Sequence, residues 1–216
     1  MNKKNIIILG IAGLLLVFGV WFMLRELLAP EYTLAAERPD FAEDPMQLSQ
    51  PPYEEIRMQF GKEKYTLQPQ AEYSISAYLV SKRSYHRGYM HRLSPWDYGL
   101  IWGEVPNQLE HLKFNQVVRF LLFKYKFGAP IDVEYIQRHL ANTHLIPANQ
   151  NIRRALRYAR KGNTVRLEGY LVNVTGTKKG RATGTWQSSM SREDKGNGAC
   201  EVMYVKTLQI ENRLYK

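Results

Sequence analysis

The chain has 216 residues, with 30 Lys and Arg against 20 Asp and Glu, a formal net charge of +10 and one cysteine. At roughly 100–200 residues per domain, this length holds one folded unit with an appendage and excludes large multidomain machinery. A hydrophobic fraction of 44% with 23% charged residues is a globular balance and excludes a disordered polyelectrolyte, and a lone cysteine excludes an intramolecular disulfide.

In chain order, the first feature is Ile6–Leu24, an uncharged run that would make a helix of roughly 28 Å at ~1.5 Å per residue, near the hydrocarbon thickness of a bilayer. It exceeds the apolar core of about 7–15 residues found in a cleaved signal peptide. The sequence therefore predicts a cytoplasmic tip and transmembrane signal anchor over 1–28, with a lipid bilayer as partner through residues 6–24. Lys3 and Lys4 precede the run and Arg25-Glu26 follow it, so the positive-inside rule places the N-terminus in the cytoplasm and the remainder outside.

Residues 29–52 carry Pro30, Pro39, Pro45, Pro51 and Pro52 among Glu31, Glu37, Asp40, Glu43 and Asp44. Prolines at this density oppose a helix or a central strand, and the stretch reads as an acidic linker. The domain expected over 53–216 is basic: residues 51–216 hold 26 basic and 14 acidic groups.

Within that domain, Ala71–Ser81 alternates Tyr73, Ile75, Ala77 and Leu79 on one face, which predicts a half-buried strand. Tyr98–Trp102, Asn163–Val174 and Cys200–Ile210 are further strands, and Gly169 within the third marks a bulge or a close approach. Asp132–Ala141 and Asn151–Lys161 read as helices, the second closed by Gly162. Phe114–Phe127 satisfies both helical and strand periods. The fold class expected is α+β: one transmembrane helix and a mostly antiparallel β domain, an OB-like barrel with one or two helices.

Asn142-Thr143-His144-Leu145-Ile146-Pro147, the segment Ser188–Glu201, Trp96-Asp97 and Trp102-Gly103 together resemble a family of single-pass bacterial membrane proteins of uncharacterised function. The resemblance implies a bacterial inner-membrane protein with an extracytoplasmic domain. It brings no activity and no catalytic residues.

Cys200 with His144 and an orienting Asn142 or Asp194 is the minimum inventory of a thiolate nucleophile, with Arg192 near enough in sequence to lower the thiol pKa. Against this, Cys200 is in phase with Val202 and Tyr204, as a small core residue would be. The pairs His86/His91 and His139/His144 are spaced by five, which puts the rings on different faces of a helix or strand, so no metal site is expected. Ser188-Ser189 with Lys195 is similar to the Ser/Lys dyad of signal peptidases but lacks that family's motif.

Arg153, Arg154, Arg157, Arg160 and Lys161 make one helix strongly basic. Such a face is ordinarily solvated. Its functional readings are anionic lipid headgroups, an acidic partner or the chain's own acidic linker, or nucleic acid, the last set lowest because the expected topology keeps the domain outside the cytoplasm. Trp96, Asp97 and Arg192 are further binding candidates. The function expected is a non-catalytic, membrane-anchored binding or scaffold module with an envelope protein partner and no cofactor. The alternatives are a thiol enzyme using Cys200 and His144, and polyanion binding through the Arg153–Lys161 face.

Overall fold

The structure, a computed structural model, describes residues 14–21, 23, 28–50, 53–88, 90–193 and 200–216. Two compact units are distinguished, Met1–Glu31 and Tyr32–Lys216.

In the first unit, residues 14–21 and 23 are helical. Among the described residues no helix is long and apolar enough to cross a membrane. The expected transmembrane helix, the single-pass inner-membrane location and the sidedness drawn from it are corrected accordingly. Residues 6–13, 22 and 24 of the expected span lie outside the described residues.

The second unit is built from strands β1 (Thr33–Leu34), β2 (Met46–Leu48), β3 (Ile56–Phe60), β4 (Glu63–Ser84), β5 (Trp96–Ile101), β6 (Leu112–Val117) and β7 (Phe120–Tyr125). Helix α1 (Val133–Arg138), strand β8 (Leu140–Pro147), helix α2 (Gln150–Tyr158) and strands β9 (Thr164–Lys178), β10 (Arg181–Trp186), β11 (Glu201–Ile210) and β12 (Arg213–Tyr215) follow. The class is therefore mostly β with few helices. Ten strands form one sheet, and β6 with β7 forms a separate two-stranded one.

Within the large sheet, β4 pairs antiparallel with both β5 and β9. Strand β5 pairs with β8, β8 lies parallel to β11, and β11 returns antiparallel to β9. The five pairings form a closed circuit, so one face of every strand in it is turned toward a common interior. That interior holds Tyr73, Ile75, Ala77 and Leu79 of β4, Tyr98 and Leu100 of β5, Leu145 of β8, Leu167 and Leu171 of β9, and Met203, Val205 and Leu208 of β11. Ile152, Ala155 and Leu156 of α2 join the same cluster.

Gly169 shows what the circuit demands locally. A Cβ there would lie 1.9 Å from the Tyr204 carbonyl oxygen, opposite a register shift between Val205 and Thr207. The missing side chain lets β9 and β11 meet at the bulge.

The stretch expected as a linker is largely bound to the sheet. Strand β1 pairs with β12 and β2 with β4. The Gly103 amide donates to the Phe41 carbonyl (2.7 Å), and Trp102 Nε1 donates to Asp44 Oδ1 (2.9 Å). These strands are only two and three residues long, too short for sheet periodicity to be seen in the sequence.

Candidate functional site

Helix α2 begins where the Asn149 side chain accepts the Ile152 amide (2.9 Å), satisfying one of the orphan donors of the first turn. It ends at Tyr158 rather than at Lys161. The reason is a tertiary contact: Lys82 Nζ, from β4, donates to the carbonyls of Arg157 (2.7 Å) and Ala159 (2.8 Å). An ammonium group at a helix C-terminus takes the place of a local cap and complements the dipole. Gly162, at φ +97°, instead turns the chain into β9 and donates its amide to the Leu79 carbonyl.

With its apolar side in the core, α2 turns its arginines toward a groove of roughly 790 Å³. Val80, Ser81, Lys82 and Ser84 of β4, α2 with the residues just after it, and Phe114 of the β6–β7 hairpin line it, and Trp96 and His86 lie on it as well. The cations on its walls are Lys82, Arg153, Arg154, Arg157, Arg160 and Lys161, and no Asp or Glu is among the described lining residues. Arg154, Arg157, Arg160 and Lys161 are exposed. Arg153 is half-buried, its guanidinium 5.8 Å from the Trp96 ring and 5.9 Å from that of Phe60. Burial pushes the Arg153 pKa down. It also lowers that of Lys82, with Arg157 and Arg160 adding to the effect, to about 8.

Two features of α2 work against its own stability. The first turn contains no acidic residue, and Arg153 and Arg154 follow one turn in, near the positive end of the dipole. Arg153 and Arg157 are also a like-charged i,i+4 pair. The groove therefore concentrates charge at a cost to the helix that builds it.

The other sequence candidates fall into two separate clusters. Asp97, fully buried, accepts from Arg119 Nη1 at 2.8 Å, and His144 Nδ1 lies 2.9 Å from the same carboxylate oxygen. The imidazole approach is not aligned as a hydrogen bond, and Asp97 Oδ2 has no hydrogen-bond partner among the described residues. The Arg119 guanidinium sits 4.0 Å from the Tyr85 ring and 4.9 Å from that of Trp186, and the Trp186 ring is 4.4 Å from His144. Asn142 accepts from Gln116 Nε2 (2.7 Å) and donates to the Arg119 carbonyl (2.8 Å).

Cys200 joins this network on its polar side, its Sγ 3.6 Å from Asn142 Nδ2 and 3.7 Å from the Arg119 carbonyl oxygen. Burial pushes its pKa up to about 11, against the Asn142 hydrogen bond, with Glu201 and Asp97 pushing further upward. A thiolate nucleophile needs the opposite environment. His144 is engaged with Asp97, and Asp194 lies outside the described residues.

Arg192 forms the second cluster. It pairs with the buried Glu201 and donates to the Tyr73 hydroxyl, and its guanidinium lies 5.2 Å from the Trp102 ring. Burial raises the Glu201 pKa against the pull of Arg192. This is a structural ion pair at the edge of the interior core.

Trp96 is thus brought to the basic helix, whereas Asp97, its neighbour in sequence, faces the buried network. Sequence reading missed Lys82, Phe114, Arg119 and Trp186. Lys82 had a signal, as the polar residue closing an alternating strand. Phe114 and Arg119 depend on the hairpin's placement, and Trp186 on the pairing of β10 with β9. Among the described residues no group of three His, Cys, Asp or Glu side chains is arranged to hold a metal ion. Comparison with protein-family models, with curated proteins and with solved structures returned no match.

Proposed function

We propose that the chain is a non-catalytic binding module whose ligand is a polyanion held in the groove between α2 and the β6–β7 hairpin. The observation that carries this reading is the groove's composition: six Lys and Arg side chains and no carboxylate among its described lining residues. A concave, single-signed surface concentrates its field and attracts an oppositely charged chain. The unfavourable placement of Arg153 and Arg154 on the helix supports a use for the charge outside the fold.

The thiol-enzyme reading has less support, because the Cys200 thiol is held protonated and His144 is paired elsewhere. The basic face also stays clear of the acidic stretch, which packs instead near Trp102 and Gln209.

Inorganic polyphosphate is the test probe, titrated against the full chain at several salt concentrations. Binding is expected to weaken steeply with salt and to drop at least tenfold in the doubly substituted Arg154→Glu/Arg157→Glu protein, whose exposed positions leave the core untouched. Equal affinity in both proteins would sink the reading.

A further inference from the structure

Resting on the polyanion reading, we propose that the groove's ligand is single-stranded nucleic acid, with Trp96 and Phe114 as stacking surfaces for its bases.

The groove has a direction. Lys161-Gly162 meet β4 at Leu79, through the Gly162 amide and the Leu79 carbonyl, and Trp96 meets it at the other end as the register partner of Ser84. From residue 80 to residue 84 a strand advances about 13 Å. That length takes several consecutive phosphates, at 3.4 Å or more of strand each. Arg160 and Lys161 lie at one end, Lys82 and Arg157 between, and Arg153 with Trp96 at the other. Repeated negative charge along a line is what this row fits; a single small anion would use only part of it.

The aromatic rings decide which polyanion. Trp96 and Phe114 are each partly exposed on the groove's walls. Flat apolar rings contribute nothing to a purely ionic chain such as polyphosphate. In a duplex the base faces are already stacked on each other and closed to side chains. In a single strand they are free, and a positively charged groove with interspersed aromatic rings is the arrangement that holds such strands without reading their sequence. Arg153 lies over the Trp96 ring, 5.8 Å from its centroid, so its guanidinium can meet a phosphate while the ring's remaining exposed surface meets the base.

The test uses the full chain and four probes: a 20-nucleotide dT oligomer, an abasic oligomer of the same length and charge, a 20-base-pair duplex and inorganic polyphosphate. The dT oligomer is expected to bind at least tenfold more tightly than the abasic one. Its affinity should fall with salt at a log–log slope of roughly −2 to −3, from about three to four phosphate contacts at about 0.7 each. Trp96→Leu, with an unchanged melting temperature as the control for folding, should shrink the gap between dT and abasic oligomers. Should Trp96→Leu fail to fold, the wild-type comparison of dT with abasic oligomer still decides the matter.

Equal binding of dT and abasic oligomers, or tighter binding of the duplex, overturns the inference while the polyanion reading stands. Failure of every probe to bind overturns both.

Discussion

Arg119, at the turn between β6 and β7, places its guanidinium 2.8 Å from Oδ1 of Asp97 on β5, and the same arginine donates to the Ser94 carbonyl at 3.0 Å. The hairpin is thereby fastened to the large sheet by a charge contact with a fully buried carboxylate. Val118 next to it sits at φ +57°, an uncommon conformation for a β-branched residue that the surrounding contacts hold in place. Because the hairpin supplies Phe114 to the groove, this pair also fixes one groove wall.

Removing one partner of such a pair leaves the other charge buried and uncompensated, at a cost of about 3–5 kcal/mol. Arg119→Met is accordingly expected to lower unfolding stability by about 3 kcal/mol. The double variant Arg119→Met/Asp97→Asn should recover part of that loss, because no buried charge is stranded. Urea unfolding of the two single variants and the double one measures the coupling. Simple additivity of the single effects would show that the pair does not act as a unit.

Cys200 provides a second check. With its pKa pushed up to about 11 by burial, the native thiol should react with iodoacetamide at pH 8 on the order of 100-fold more slowly than the denatured chain, since the thiolate is the reactive form. Mass spectrometry of the modified chain over time reads this directly. Fast native alkylation at pH 8 would mean an exposed, acidified thiol and would revive the enzyme alternative.

Lys82 makes the groove sensitive to pH. Its pKa in the folded protein is pushed down to about 8 by burial first and by Arg157 and Arg160 second, against roughly 10.4 in an unfolded chain. Between about pH 8 and 10 the unfolded state therefore holds a proton that the folded state has released, and stability attributable to this group rises with pH across that window. Polyanion affinity moves the other way, losing one positive charge as pH passes 8. Binding of polyphosphate should weaken from pH 7 to pH 9 in the wild-type chain. In Lys82→Met it should be weaker at pH 7 and nearly flat thereafter. An identical pH dependence in the variant would place the titrating group elsewhere.

Much of the domain was legible because its determinants are local. The alternation of Tyr73, Ile75, Ala77 and Leu79 requires only that one strand have one wet and one dry face, and all four are buried in β4. Gly169 announced a close approach without showing to what. Arg153, Arg154 and Arg157 lie within about one turn of α2, so their proximity follows from helical geometry, whereas Arg160 and Lys161 fall beyond the helix end at Tyr158 and reach the groove through the tertiary structure. The apolar run near the N-terminus misled, because composition and length describe what a segment can span and leave open what helix it forms.

What the sequence determined by itself was the set of short-range patterns: which strands have a core face, that one helix is densely cationic, and that the lone thiol is in phase with core residues. Only the tertiary structure decided the rest. The period of Phe114–Phe127 was ambiguous until hairpin pairing placed Phe114 opposite Phe123, since both periods bury some of its apolar residues. The end of α2 was moved by Lys82, which lies 75 positions from Arg157 in the chain. Asp97, His144 and Arg119 met because β5, β8 and the hairpin turn converge, and Trp96 reached the basic helix because Ser84 pairs with it. Contacts between residues this far apart depend on how the sheet closes, and no window of sequence carries that information.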